Sequence, residues 1–428
     1  MVAASIMLAP ISSLADSPLV VRNVDILDVE TGSYRRNQTL IVVDGLITKI
    51  GASDSIQVPD DSEIIDASGR ILMPGLTDAH AHLTERDIGL FLANGITSVR
   101  EMNGSPTHLR LRENIALGDV LGPRVLVSSP LITGRELRFR HELVEDPVRV
   151  ADLIAQLANE GYDYIKIYDD LSLDSYAAIA ESASQHSISL AGHIPESVGL
   201  EGVLSAGQML EHNEKIVVDV LGYDFSDLSG LENAAQAISE SGVAVTPTLA
   251  VHEFMSNRRN PEIALRMTAE ELAYVDDDIL MWWRSVFESE NGRELHVQDS
   301  VVPPFLAAQR RLLRELAKRG VPILVGTDTP NPLMIPGFSL HDELAALVRA
   351  GLTPMDAIRS ATLVPGQQLA WTARIGKVEV GYAADAILID GDPLDDLSLL
   401  RRPSAVITNG IWLDRKAIDA MLQQALRR

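Results

Sequence analysis

Through the middle of the chain, apolar β-like runs alternate with stretches of helical periodicity, and that order admits few folds. The runs are Ile96 to Arg100, Arg124 to Ser128, Asp163 to Tyr168, Ser189 to His193, Gly207 to His212, Val243 to Leu249 and Val321 to Gly326, preceded by a segment ending at His82. Helical stretches fall between them, including Pro147 to Glu160, Leu173 to His186, Leu231 to Ser241 and Phe305 to Arg319. Eight strands alternating with helices over roughly 290 residues predict an α/β fold of the (β/α)8 barrel type. A doubly wound sheet is the alternative, but its Gly-x-Gly-x-x-Gly fingerprint is absent.

The two ends of the chain read differently. Leu19 to Asp28, Gln38 to Val43 and Leu46 to Ile50 read as strands, with Asp44-Gly45 as a hairpin turn. Near the other end Gly376 to Gly381, Ala386 to Ile389, Ala405 to Thr408 and Ile411 to Leu413 read the same way, with Asn409-Gly410 as a second hairpin turn. The expected organisation is a β-sandwich built from 18–70 and 376–414, with the barrel, 71–375, inserted between its halves. A C-terminal helix over 415–428 follows. The polar stretch near 250–304, with Asn257-Arg258-Arg259-Asn260-Pro261, is expected to cap the barrel mouth. Met1 to Ser17 is small and apolar, and Ser13-Leu14-Ala15 resembles a cleavage site, but no Lys or Arg precedes it. It reads equally as a signal remnant, implying export, or as an N-terminal extension of a cytoplasmic protein.

Composition narrows the chemistry. Of 428 residues none is cysteine, which removes disulfides, thiolate zinc sites and a cysteine nucleophile. A metal would have to be held by histidine, carboxylate or a modified side chain. The net charge of −24 argues against nucleic acid and anionic membranes as partners.

Pro74-Gly75-Leu76-Thr77-Asp78-Ala79-His80-Ala81-His82 places two histidines at i, i+2. On a strand they share a face, as two neutral ligands for a divalent metal would need to. An isolated His-x-His is more often two surface histidines. Here other polar residues also end the β-like runs: Lys166 in Tyr164-Ile165-Lys166-Ile167-Tyr168, His193 in Gly192-His193-Ile194-Pro195, His212 after Glu211, and Asp328 in Gly326-Thr327-Asp328-Thr329-Pro330. In a barrel these ends converge on one mouth. Singly, Lys166 reads best as a salt-bridged lysine and the histidines as hydrogen-bonded strand ends. Jointly, six such residues at strand ends are hard to assign to chance.

With these motifs in place, the chain resembles the amidohydrolase superfamily over nearly its full length. The Pro74 to His82 motif and Gly381-Tyr382-Ala383-Ala384-Asp385-Ala386-Ile387-Leu388-Ile389-Asp390-Gly391-Asp392-Pro393-Leu394 carry the resemblance. Gly95-Ile96-Thr97-Ser98-Val99-Arg100-Glu101-Met102 and Ala350-Gly351-Leu352-Thr353-Pro354 make it similar to the imidazolonepropionase-related Xaa-Pro and Xaa-Arg/Lys dipeptidases and ochratoxin amidases. The resemblance implies two divalent ions, expected to be zinc. One would be held by His80, His82 and Asp328 and the other by His193 and His212, bridged by carbamylated Lys166 and a hydroxide. It also implies proton transfer by Asp328 and a carbonyl hydrogen bond from Tyr168, although a packed barrel residue is an equal reading of Tyr168.

The chain departs from those relatives after the third run. A Gly-Gly-His-Gly stretch common there is replaced by Thr133-Gly134-Arg135-Glu136-Leu137-Arg138-Phe139-Arg140-His141. Arg135, Arg138, Arg140 and His141 are candidate contacts for a substrate carboxylate, or a solvated loop. The expected activity is hydrolysis of an amide bond in a small molecule, a dipeptide or N-acyl amino acid; a homo-oligomer is compatible with this. Two alternatives stand: a mononuclear deaminase or ring-opening hydrolase using Glu196 of His193-Ile194-Pro195-Glu196 as proton shuttle, and a non-catalytic binding protein with a relict site.

Overall fold

The computed structural model describes residues 17–256, 270–288 and 302–426. Most of the N-terminal extension and the Asn257 to Pro261 stretch lie outside the described residues. The chain opens with β1 (Leu19–Asp28), β2 (Ser33–Val43), β3 (Leu46–Ala52), β4 (Glu63–Asp66) and β5 (Ile71–Pro74). A second series follows: β6 (Leu76–Ala81), β7 (Ile96–Glu101), β8 (Arg124–Thr133), β9 (His141–Leu143), β10 (Tyr164–Ile167), β11 (Ser189–Gly192), β12 (Met209–Glu211) and β13 (Val245–Thr246). The chain then returns as β14 (Ala386–Ile389), β15 (Ala405–Thr408) and β16 (Ile411–Asp414).

The first sheet joins both ends of the chain in the order β16-β15-β14-β5-β1-β2-β3, with β4 also on β1. Its two hairpins turn where the residue types allow positive φ: Asp44 and Gly45 at 49° and 73°, Asn409 and Gly410 at 50° and 80°. Two sequence readings are corrected here. The segment ending at His82, assigned to the barrel from residue 71, is two strands: β5 pairs with β1 and β14 in this sheet, and only β6 enters the other. The break is Gly75, where a Cβ would lie 2.1 Å from Thr97 Oγ1, so only glycine fits. Gly376 to Gly381 is not a strand, because both glycines adopt left-handed φ, 87° and 84°.

The second sheet is parallel, in the order β6-β7-β8-β10-β11-β12-β13. The eighth run does not form a regular strand. Pro322 lacks an amide donor, and the segment instead makes an isolated bridge from Ile323 to Val245 and another from Thr329 to Ala81. Leu324 N donates to Val245 O (2.9 Å) and Ala79 N to Val325 O (2.9 Å), so this segment closes the ring between β13 and β6. The seventh strand is shortened by Pro247, and a helix, Leu249–Ser256, starts immediately. The result is a mixed α/β fold, a (β/α)8 barrel with a β-rich unit.

Helices Val150–Glu160, Leu173–Gln185, Gly230–Ser241 and Val302–Lys318 bury apolar faces against the barrel, with Ile154, Ile179, Ile238 and Leu316 fully enclosed. Burying each such side chain contributes about 1.5–3 kcal/mol. In the insertion after the seventh strand, helix Asp277–Glu288 is anchored by Trp283, whose Nε1–H donates to Pro330 O at 2.8 Å. Among the described residues no helix is long and apolar enough to cross a membrane.

Candidate metal centre and active site

The barrel topology sets the polar strand ends side by side. His80 lies in β6 and His82 just beyond it; Lys166 lies in β10; His193 and His212 immediately follow β11 and β12. Asp328 follows the irregular eighth segment. Ring centroids step from His82 to His80 (5.5 Å), to His212 (4.7 Å), to His193 (4.9 Å). Asp328 reaches three of them: its Oδ1 is 3.2 Å from His82 Nε2 and 3.4 Å from His80 Nε2, and its Oδ2 is 3.9 Å from His212 Nδ1. His212 and Asp328 both hold φ in the left-handed region, 69° and 58°, an unfavourable geometry for side chains of this size that the surrounding packing enforces.

Outer contacts orient the imidazoles. His80 Nδ1 donates to Glu211 Oε2 at 2.7 Å, and Glu211 Oε1 accepts from Arg100 Nη2 at 2.5 Å. His212 Nδ1 bonds Thr248 Oγ1 at 2.7 Å, and His193 Nδ1 donates to Asp169 Oδ1 at 2.8 Å. In each case the second ring nitrogen stays available, an arrangement common among metal-binding histidines. Asp78 ties β6 to the Asp328 segment by accepting from Thr327 Oγ1 (2.7 Å) and Thr327 N (3.1 Å). Burial, and then Lys166 for His80 and neighbouring histidines for His212, hold both imidazoles well below the usual range. Burial lowers His193 to about 4 as well. These three are neutral at pH 7, the form that ligates metal. His82 differs: burial pushes it down, but Asp328 and Glu101 outweigh that and hold it up at about 9.

Lys166 is the most unusual member. Its side chain is 1% exposed, and among the described residues Nζ has no hydrogen-bond partner. Burial lowers it to about 8, against the pull of Glu211 and Asp328. An orphaned ammonium beside His80, His193 and His212 is costly. A carbamate on the same nitrogen would supply acceptor oxygens where the ligands converge. The donor set suits divalent ions: among the described residues His80, His212 and Asp328 offer ligand atoms within 4.8 Å of one another.

Tyr168 stacks obliquely on His193, with centroids 4.3 Å apart, so it borders the cluster. The loop after β8 is only partly drawn to it. Arg135 Nε pairs with Asp170 at 2.5 Å, and its Nη2 lies 4.0 Å from Asp169. Arg138 is exposed. Arg140 turns toward Tyr162. His141 is held within its own loop, Nδ1 donating to Phe139 O (2.8 Å) and Nε2 facing Glu136 (3.1 Å). No hydrogen bond or ion pair joins Arg138, Arg140 or His141 to the cluster among the described residues: Arg138 faces solvent, and Arg140 and His141 meet local partners. Glu196 is exposed in the turn after β11. Sequence reasoning missed Arg100, Glu211, Asp169, Thr248 and His252; the His252 ring lies 6.4 Å from that of His212. The available signal was a charge at the end of an otherwise apolar β-like run, as at Arg100 and Glu211.

Comparison with known proteins agrees with this geometry. Residues 71–413 match the Amidohydrolase family. An ochratoxinase from Aspergillus niger is 23% identical over 93% of this chain and 88% of its own length. An imidazolonepropionase from Vibrio cholerae is 25% identical over 87% of this chain and 92% of its own. The structure of bottromycin amidohydrolase superposes with a TM-score of 0.77 at 24% identity, covering 99% of this chain and 94% of that one. The chain therefore belongs to the amidohydrolase family, hydrolases of carbon–nitrogen bonds.

Proposed function

We propose that the protein hydrolyses the amide bond of a dipeptide or N-acyl amino acid at a binuclear divalent-metal centre. His80, His82, His193, His212 and Asp328 would hold the ions, zinc in this reading, and carbamylated Lys166 would bridge them. The observation that carries it is Lys166: buried, unpartnered and beside the neutral imidazoles of His80, His193 and His212. Its lowered pKa leaves a reactive fraction of free amine near neutral pH. Attack of that amine on CO2 forms the N–C bond and releases one proton, giving the carbamate. Bound divalent ions lower the pKa of a coordinated water and polarise a carbonyl. Asp328 is partly exposed and close to His80 and His82. In that position it accepts the proton of the attacking water and passes it to the departing amine. Burial pushes Tyr168 up to about 12, so its phenol stays protonated and donates to the carbonyl oxygen as charge develops. Arg135, paired with Asp170 and 4.0 Å from Asp169, the partner of His193, would be the loop arginine to meet a substrate carboxylate.

A panel of dipeptides and N-acyl amino acids, assayed for amine release on zinc-loaded protein, tests this. Turnover is expected for a group sharing one class of C-terminal residue, and chelation should abolish it. Activity that survives chelation and metal-free dialysis would refute the metal mechanism. Ring opening of a cyclic amide at one ion is the second reading. It is favoured by the compact His80, His212 and Asp328 trio and by the imidazolonepropionase relative.

A further inference from the structure

Two polar side chains beside the histidine cluster, His252 and Glu214, are unpaired among the described residues. His252 lies on helix Leu249–Ser256, which follows β13, and Glu214 lies in the first turn of helix Asn213–Leu221, which follows β12. Both therefore sit at the C-terminal face of the barrel, after neighbouring strands. The His252 ring is edge-on to His212 (6.4 Å, 79°) and to Phe305 (6.3 Å, 86°).

His252 is partly exposed and makes no hydrogen bond or ion pair among the described residues. The described ring nitrogens that are both buried and unpartnered belong to His82, His108 and His341, so those of His252 keep open surface. Glu214 is partly exposed too, with no hydrogen bond or ion pair among the described residues. Its neighbour Lys215 turns to Asp169 instead, with Nζ 3.4 Å from Oδ1. Burial holds the His252 imidazole below its ordinary range, and Glu214 is the charge that acts on it most, before Asp328 and Lys215. A free carboxylate near a neutral imidazole offers two acceptors and no cation to fill them. An ammonium group matches that pair. Among the described residues, neither side chain joins a set of ligand atoms close enough to hold a metal.

The ring order gives the pair a direction. With the irregular eighth segment closing the barrel, β13 stands opposite β8. A substrate whose carboxylate meets Arg135, after β8, crosses the cluster and brings its other end to His252.

We infer that Glu214 and His252 receive the free α-ammonium group of the substrate, which makes that substrate a dipeptide and not an N-acyl amino acid. The inference rests on the amide-hydrolysis reading and narrows it. An α-amino group is attached next to the scissile carbonyl, so its site has to border the metal centre, as His252 borders His212.

Paired substrates test this on the full-length, zinc-loaded protein. For each dipeptide turned over, the analogue lacking only the α-amino group (isovaleryl in place of valyl, propanoyl in place of alanyl) should lose about tenfold or more in kcat/KM. Glu214→Gln should erase that preference by slowing the dipeptide alone. His252→Phe should reduce it, and His252→Gln, which keeps an acceptor, should restore part of it. Isothermal titration of L-valinol against isoamyl alcohol reads the same site without hydrolysis. The wild type should favour L-valinol by about tenfold or more, and Glu214→Gln should lose that margin. Turnover of N-acyl amino acids as fast as of their matched dipeptides would overturn the inference and leave amide hydrolysis standing. If no amide is hydrolysed, the amide reading fails and the titration decides. No L-valinol binding by the wild type, or equal binding by Glu214→Gln, would then overturn the inference.

Discussion

Replacing Glu211 by Gln should damage stability and metal binding together, and for different reasons. Both side chains of the Arg100–Glu211 pair are 0% exposed, with the charged atoms 2.5 Å apart. Gln keeps the shape but removes the charge, leaving Arg100 buried beside an amide. Breaking a buried pair from one side typically costs about 3–5 kcal/mol. The Gln oxygen can still accept from His80 Nδ1, but its NH2 then faces Arg100, donor against donor. Held less firmly, His80 should lose about 10–100-fold in metal affinity, the usual effect of removing a histidine's outer partner. The pair Arg100→Met with Glu211→Gln separates the two effects. With both charges gone, stability should recover most of the loss, short of about 1 kcal/mol each for the bonds from Arg100 Nε to Ala79 O (2.6 Å) and from Nη2 to Thr246 Oγ1 (3.2 Å). Metal affinity should stay low. Urea unfolding of the metal-free protein and competition with a chromophoric chelator measure the two quantities. A single variant within about 1 kcal/mol of wild type, or one that binds metal normally, would refute the role given to this relay.

Other expectations follow from neighbouring contacts. Lys166→Ala should abolish turnover, with partial rescue by short carboxylic acids; wild-type kcat in that variant would remove the bridging role. Asp328→Asn should retain much of the metal but lose turnover, and an unchanged rate would rule out proton transfer by this residue. Thr248→Val removes the 2.7 Å partner of His212 Nδ1 and should weaken metal binding about tenfold, read by the same chelator competition. Burial raises Glu343, which accepts from Leu249 N (2.9 Å) and Ala250 N (2.6 Å), to about 8. Folded protein then holds more protons than unfolded between the ordinary glutamate range and pH 8, so this group's contribution is full below that range and fades as pH rises to 8. The stability cost of Glu343→Gln should therefore shrink between pH 5 and pH 8, by at most about 1.4 kcal/mol per pH unit; a cost that grows with pH would contradict the sign.

The barrel and the meeting of its polar strand ends were legible because both depend on local pattern. A β-like run ending in a polar residue announces a strand with that residue at its C-terminal end, as at His193 and His212. Asp328 was found the same way, although Pro322 keeps its run from forming a regular strand. What the pattern could not carry is pairing across distance. Arg100 and Glu211 meet only because β7 and β12 belong to one closed barrel, and nothing near either residue announces the other. Similarly, the change of sheet at Gly75 rests on contact with Thr97, so Pro74 and Leu76 read as one continuous strand. The loop after β8 shows the same limit from the other side. Its spacing suggested a carboxylate site, but His141 spends both ring nitrogens on Phe139 and Glu136, and Arg140 turns to Tyr162.

The central claim is that Lys166 completes a two-metal centre. Metal content by elemental analysis, after reconstitution with zinc in bicarbonate buffer, tests it most directly. Two zinc ions per chain in the wild type, falling to one or fewer in Lys166→Ala, are predicted. One ion per chain in both proteins would contradict the account and leave the single-ion reading in its place.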